Sequence, residues 1–358
     1  FQEHGQSPWL DNLRRGWITD GELQAWVDRG VRGITSNPSI FQKAIEGSEA
    51  YTDEFQSLLG EGHSVEESYW GLVTSDIEAA LHIMRPVYDK SDGLDGYVSV
   101  EVDPGLARDQ AGTEAAARQL WDRIDEPNLY VKIPATAEGV PAIKQMLAEK
   151  RNINVTLLFS VERYREVMQA YIEGLEAAEG DLSHVSSVAS FFISRVDVEV
   201  DRRLEEIGTD DALGLRGKAA VAQAQMAYQQ FRQTFSGPRW EALAARGARV
   251  QRPLWASTST KNPDYPDTLY VDELIGPDTV NTLPDATLNA FEDHGTLART
   301  VDADPAAAAD VLARLGAVGI DMEDVAQRLE TEGVGSFAKS FEEVLDSLGD
   351  RAGSLRQS

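Results

Sequence analysis

Lys132 stands inside Leu129-Tyr130-Val131-Lys132-Ile133-Pro134, a run otherwise made of residues that fill protein interiors. A charged amine is costly to bury, and burial or nearby cations favour its neutral form. The neutral form is the one that attacks a ketone and closes a Schiff base. Carboxylates interrupt two other apolar runs. Asp11 ends Ser7-Pro8-Trp9-Leu10-Asp11, and Glu101 lies in Gly96-Tyr97-Val98-Ser99-Val100-Glu101-Val102. Cleavage of the carbon–carbon bond in a β-hydroxy ketimine needs a base at the C4 hydroxyl, and imine formation needs protons carried at the carbinolamine. Two carboxylates, one acting directly and one through water with Thr156, would supply both steps. Each could equally pair with an arginine such as Arg14.

Other polar groups occupy similar places. Asn37 follows Gly33-Ile34-Thr35-Ser36, although Ser-Asn-Pro also suits a turn. Asn154 and Thr156 alternate within Ile153-Asn154-Val155-Thr156-Leu157-Leu158-Phe159 and so share one face of a strand. That face points either inward to a site or outward beneath a helix. Ser194 with Arg195, and Ser257 with Lys261, follow two later runs. Arg195, Ser257 and Lys261 are candidates for phosphate, which takes charge-assisted bonds from cations together with hydroxyl donors. His4, His63, His82, His184 and His294 stand singly, without metal-ligand spacing. There is no cysteine, so thiolate chemistry and disulfides are excluded.

These residues must be positioned by the elements that carry them. Eight short apolar runs recur, at Ser7–Asp11, Gly33–Pro38, Gly96–Val102, Leu129–Pro134, Ile153–Phe159, Val185–Ser194, Pro253–Ser257 and Asp278–Pro284. Most are nearly continuously apolar, as strands buried on both faces are. Helical patterns alternate with them, at Asp20–Arg29, Gly112–Asp125, Val140–Glu149 and Val161–Ala178. Alternation of this kind gives an α/β fold with a parallel sheet, and eight strands predict a closed (β/α)8 barrel. No glycine-rich dinucleotide loop follows an early strand, which disfavours an open doubly wound sheet. Residues 42–94 and 198–251 read as helical insertions, the second with a long helix over Lys218–Phe235. Residues 286–358 read as a C-terminal helical extension, broken near Asp304-Pro305 and around Gly333–Gly335. The expectation is one barrel domain over residues 1–358.

Sixty acidic residues against 33 lysines and arginines give a formal charge of −27. Such acidity argues against binding to nucleic acid or anionic membranes, and an anionic substrate would need a locally basic site. The opening Phe1-Gln2-Glu3-His4 lacks a signal-peptide pattern, and no apolar stretch has the length of a membrane span. A cytoplasmic protein is expected, as a monomer or homodimer.

The motifs also carry a resemblance. Gly33-Ile34-Thr35-Ser36-Asn37-Pro38-Ser39-Ile40-Phe41 resembles the N-terminal signature of transaldolases. Leu129–Thr136, followed by Glu138-Gly139, is similar to the segment around their Schiff-base lysine, and Asn154–Ser160 to their fifth-strand motif. The likeness runs from about Ser7 to Pro284. It implies that Lys132 forms the Schiff base, that Asp11 is the acid/base at the C4 hydroxyl, and that Glu101 and Thr156 position a water. It further implies that Asn37, Asn154 and Ser194 hold the dihydroxyacetone unit and that Ser257 and Lys261 bind phosphate. The implied reaction moves dihydroxyacetone from sedoheptulose 7-phosphate to glyceraldehyde 3-phosphate, giving erythrose 4-phosphate and fructose 6-phosphate, with no metal or organic cofactor. A simple fructose 6-phosphate aldolase and a non-catalytic binding barrel are the alternatives. Two features depart from the family. Its members commonly place several residues between the sixth-strand serine and its arginine, whereas Ser194 and Arg195 are adjacent. The segment Ala256–Lys261 is long, with Lys261 where arginine is common and Ser259 as an alternative to Ser257; lysine binds phosphate without a bidentate fork.

Overall fold

In a computed structural model, which describes residues 1–355, the eight runs form eight parallel strands. They are β1 (Gln6–Leu10), β2 (Gly33–Ile34), β3 (Tyr97–Glu101), β4 (Leu129–Pro134), β5 (Ile153–Leu158), β6 (Ser187–Phe192), β7 (Arg252–Ala256) and β8 (Thr279–Leu283). Neighbours in sequence are neighbours in the sheet, and β8 closes on β1 in a register from Gln6↔Thr279 to Leu10↔Leu283. The expected (β/α)8 barrel, with helical insertions and C-terminal helices, is therefore the fold.

The second strand is shorter than the run that predicts it. Asn37 caps and Pro38 opens the helix Pro38–Glu46: the Asn37 side chain accepts the Ile40 amide at 3.0 Å, and proline fits the first helical turn. The insertion after β2 continues into Thr52–Gly60 and the long helix Val65–Lys90, opened by a Ser64–Glu67 capping box. The insertion after β6 holds Ser194–Ile207, Ala219–Thr234 and Gly237–Ala244.

Bulky groups fill the N-terminal ends of the strands. Tyr97 and Tyr130 stack at 4.1 Å, with Trp9 6.1 Å from Tyr130. Gly33 has to be glycine, because a Cβ there would lie 2.3 Å from the Trp9 indole. Arg252 and Asp95, both buried, pair at 3.1 Å beside Ser7 and Trp9. With that end closed, space remains at the C-terminal ends, where barrel chemistry gathers.

The extension over 286–358 opens with Asp285–His294, which follows β8 as a barrel helix would, and continues through Pro305–Ala317 and Met322–Leu355. Its last three residues lie outside those described. The break at Asp304-Pro305 is present, with Asp304 capping the next helix. The break predicted at Gly333–Gly335 is not: the helix Met322–Leu355 runs through it. Glycine costs about 1 kcal/mol in a helix relative to alanine, but Gly333 lies against the barrel mouth. A Cβ there would be 3.0 Å from Leu157 Cδ2 and 3.5 Å from Arg195 Nη1. Buried Val325, Leu329, Phe337, Phe341, Val344 and Leu348 recur at helical spacing and hold this long helix down. The glycine serves close approach here, and the helix survives it.

Candidate active site

Strand register assembles the centre. Glu101 on β3 pairs with Lys132 on β4, and Lys132 pairs with Asn154 on β5. Residues side by side on neighbouring strands point the same way, so the three share one layer inside the barrel. Lys132 is 4% exposed. Its Nζ donates to the Ser36 carbonyl at 3.1 Å and lies 3.5 Å from Glu101 Oε2. Burial pushes the Glu101 carboxyl up to about 7, against the opposing pull of Lys132. Glu101 Oε2 and Thr156 Oγ1 are both buried without a hydrogen-bond partner among the described residues. Just beyond Thr156, Leu157 takes a left-handed φ of 57°, and the β5–β6 register shifts between Val155 and Leu158. Bulges of this kind recur beside active sites, where they re-aim side chains.

A cavity of about 130 Å³ opens above Lys132. Asp11, Asn37, Thr156, Arg195, Ser257 and Lys261 line it, as the sequence predicts, together with Thr35, Ser190, Phe192, Ser259, Thr282 and Phe337. The Asp11 amide continues β1 by donating to Leu283 O at 2.8 Å, and Thr35 Oγ1 donates to Asp11 Oδ1 at 2.8 Å. Burial raises the Asp11 carboxyl; Lys132, the Thr35 bond, Arg195 and Lys261 oppose this. The Arg195 guanidinium lies between two rings, 5.2 Å from the centre of Phe192 and 5.8 Å from that of Phe337. Desolvation lowers its pKa, with Asp11 and Glu101 acting the other way. Lys261 Nζ donates to Ser259 Oγ at 2.6 Å. Its pKa falls through desolvation and then through repulsion from Arg195. Two cations thus line one cavity in a protein of strongly negative charge.

Three predicted residues sit elsewhere. Glu101 lies behind Lys132, in an adjoining hollow with Asn37, Tyr69 and Phe341. Asn154 is fully buried below, donating to Ser99 Oγ at 3.0 Å and accepting from Ser190 Oγ at 2.7 Å. Ser194 does not line the cavity. It begins a helix, is fully buried, and shares a 2.8 Å hydrogen bond with Ser257 Oγ. The serine of β6 that faces the cavity is Ser190, which the sequence reading missed. Four residues separate Ser190 from Arg195. Among the described residues no group of three or more His, Asp or Glu side chains is arranged to hold a metal ion, and no helix is long and apolar enough to cross a membrane.

A closed parallel barrel with a buried lysine, flanking carboxylates and a cationic wall at its C-terminal mouth defines an enzyme of the (β/α)8 class with an amine at its centre. The family described as transaldolase/fructose-6-phosphate aldolase matches residues 8–348, and the chain belongs to it. It is 51% identical over 353 residues to a protein named transaldolase from Thermobifida fusca, covering 97% of this chain and 96% of that one. A transaldolase from a Parafrankia strain is 52% identical over 355 residues, with 98% and 96% covered. One from Mycolicibacterium smegmatis is 50% identical over 348 residues, with 96% and 94% covered.

Proposed function

We propose that this chain is a transaldolase that carries a dihydroxyacetone unit on Lys132. Family membership and near-full-length identity to proteins of that name carry the activity. The donor is sedoheptulose 7-phosphate or fructose 6-phosphate, and the acceptor glyceraldehyde 3-phosphate or erythrose 4-phosphate. The observation that supports Lys132 is its position: one amine, 4% exposed, at the floor of a cavity whose other wall is cationic.

The Lys132 amine attacks the ketose carbonyl, and loss of water from the carbinolamine leaves an iminium. Asp11 takes the C4 hydroxyl proton, the C3–C4 bond breaks, and its electrons flow into the iminium to give an enamine while an aldehyde departs. The acceptor aldehyde then enters, the enamine carbon attacks it, and Asp11 returns the proton. Hydrolysis frees the new ketose. Glu101 and Thr156 share the water lost and regained, through the two oxygens that protein groups leave unpartnered. Asn37 and Ser190 hold hydroxyls of the three-carbon unit, Asn154 orients Ser190, and Arg195, Lys261 and Ser257 or Ser259 receive the phosphate. Ser194 acts through Ser257. The whole assembly is read as one barrel domain with a C-terminal helical cover.

Borohydride reduction in the presence of fructose 6-phosphate, followed by peptide mass mapping, tests this. A reduced three-carbon adduct on the peptide holding Lys132 is expected; no adduct, or one on Lys261, would overturn it. Adding erythrose 4-phosphate before borohydride should discharge the adduct into a new ketose, which separates transfer from release of free dihydroxyacetone.

Glu101 makes a pH prediction. With its proton held up to about 7, it becomes a carboxylate only above that pH. If the carboxylate is the working form, kcat/KM rises about tenfold per pH unit below 7 and levels above it. Glu101→Gln should be slow and lack this limb, and a variant that keeps the limb would assign it to another group.

A further inference from the structure

Lys261 rides on the connection that leaves β7, and most side chains from Ser259 to Asp267 are exposed or only partly buried. A segment so placed has little packing of its own to fix where its ammonium points. Two tyrosines tie it to the protein, Tyr265 within it and Tyr270 in the short helix Leu269–Asp272 that follows. Tyr265 Oη donates to Asp201 Oδ2 at 2.5 Å, and Tyr270 Oη donates to Asp197 Oδ2 at 2.7 Å. Asp197 and Asp201 lie four residues apart, on one face of the helix Ser194–Ile207, whose second residue is Arg195. The second oxygen of each carboxylate takes a backbone amide: Ala220 donates to Asp197 Oδ1 at 2.8 Å, and Gly217 to Asp201 Oδ1 at 2.9 Å. The Tyr265 ring lies over Gly217, where a Cβ would come within 2.7 Å of it and φ is 69°. One helix face thus ties down both the entry into Ala219–Thr234, at Gly217 and Ala220, and the connection that carries Lys261.

Both carboxylates stand outside the reaction derived above. Asp197 is 1% exposed and Asp201 9%, and burial pushes the Asp197 carboxyl up to about 6. Burying two acids is costly unless every oxygen is bonded, and here the bonds run to the connection that carries Lys261, to the short helix after it and to the start of the helix Ala219–Thr234. We infer that the Asp201–Tyr265 and Asp197–Tyr270 pairs are positioning pairs that set the separation of Lys261 from Arg195, and so tune recognition of the substrate phosphate. This rests on reading Arg195 and Lys261 as the phosphate site. Neither tyrosine touches the reacting carbons, so the pairs act through Lys261.

The test compares fructose 6-phosphate with unphosphorylated fructose as donors, in Tyr265→Phe, Asp201→Asn and Lys261→Ala. Asp201→Asn keeps an acceptor for the Gly217 amide and removes the acceptor for Tyr265. Both clamp variants should raise KM for fructose 6-phosphate about tenfold, the loss expected when one charge-assisted bond to the phosphate is misplaced. Their kcat should stay within about twofold, and KM for fructose should be unchanged. An equal rise with both sugars, or a lower unfolding temperature with unchanged KM, would reduce the pairs to a structural role and overturn the inference. If Lys261→Ala raises the phosphate KM and the clamp variants do not, the phosphate site stands and the inference falls. If Lys261→Ala leaves that KM unchanged, the phosphate reading fails and the inference with it.

Discussion

Lys132→Met is expected to abolish ketol transfer, lowering kcat by at least about 10⁴-fold, because among the described residues the only other amine lining the cavity is the exposed Lys261, which is read as a phosphate ligand. Methionine matches the length of the lysine stem and suits a side chain 4% exposed. The charge lost is the one beside Glu101, 3.5 Å away. A buried carboxylate deprived of its partner would ordinarily destabilise the fold by several kcal/mol. Here the carboxyl already holds its proton up to about 7 through burial, and Lys132 is what pulls that value down. Removing Lys132 therefore raises it further, and Glu101 stays neutral at pH 7. The sign of the linkage follows. A raised carboxyl binds its proton more tightly in the folded state, so its stabilising effect is full below the ordinary carboxylate range and is lost only as pH rises through the folded value, which in the variant lies above the native one of about 7. The variant should accordingly fold at neutral pH, bind sugar phosphate, and give no borohydride adduct. Residual transfer with a trapped adduct on another lysine would sink the assignment of Lys132.

The barrel was legible because its strands are buried on both faces and read as apolar runs, and Lys132, Asp11 and Glu101 were legible because a charge interrupts such a run. The sixth strand shows where this way of reading stops. Val185–Ser194 contains Ser186, Ser187, Ser190 and Ser194, so no single hydroxyl stands out. The period of two sets Ser190 with Val188 and Phe192, and it would extend to Ser194 if the strand did. The strand ends at Phe192, the chain turns into a helix, and the rotation hides Ser194 behind Ser257. A face assigned by alternation is only as good as the strand end it assumes. Phe337 was illegible for another reason. It lies in a helix without a motif, and only the fold brings it 145 residues back to the other side of Arg195 from Phe192. Gly333–Gly335 carried a local signal for a break, which the contact with Leu157 and Arg195 overrides. Helix propensity is a weak prior of about 1 kcal/mol per glycine, and a buried stripe running the length of the helix outweighs it.

Asp11→Ala should slow carbon–carbon cleavage by about 10²–10⁴-fold, the usual contribution of a positioned general base, while imine formation is changed little. Burial raises the Asp11 carboxyl, whereas Lys132, the Thr35 bond, Arg195 and Lys261 pull it down. Burial wins, so the carboxyl holds its proton more tightly than usual, and an iminium on Lys132 would add one more cation to those that favour the carboxylate when the C4 hydroxyl proton is taken. Glu101 is on the other side of Lys132, outside the cavity that Asp11 lines. On that placement Asp11 is expected to serve the substrate hydroxyls, and Glu101 the water beside the lysine nitrogen. Loss of Asp11 should stop the reaction between the two covalent stages. In single turnovers with fructose 6-phosphate and borohydride, the adduct on Lys132 should shift in mass from the three-carbon unit to the whole phosphorylated sugar. Release of glyceraldehyde 3-phosphate should lag far behind adduct formation. If both steps fall equally, Asp11 serves the imine as well, and the division between the two carboxylates is wrong.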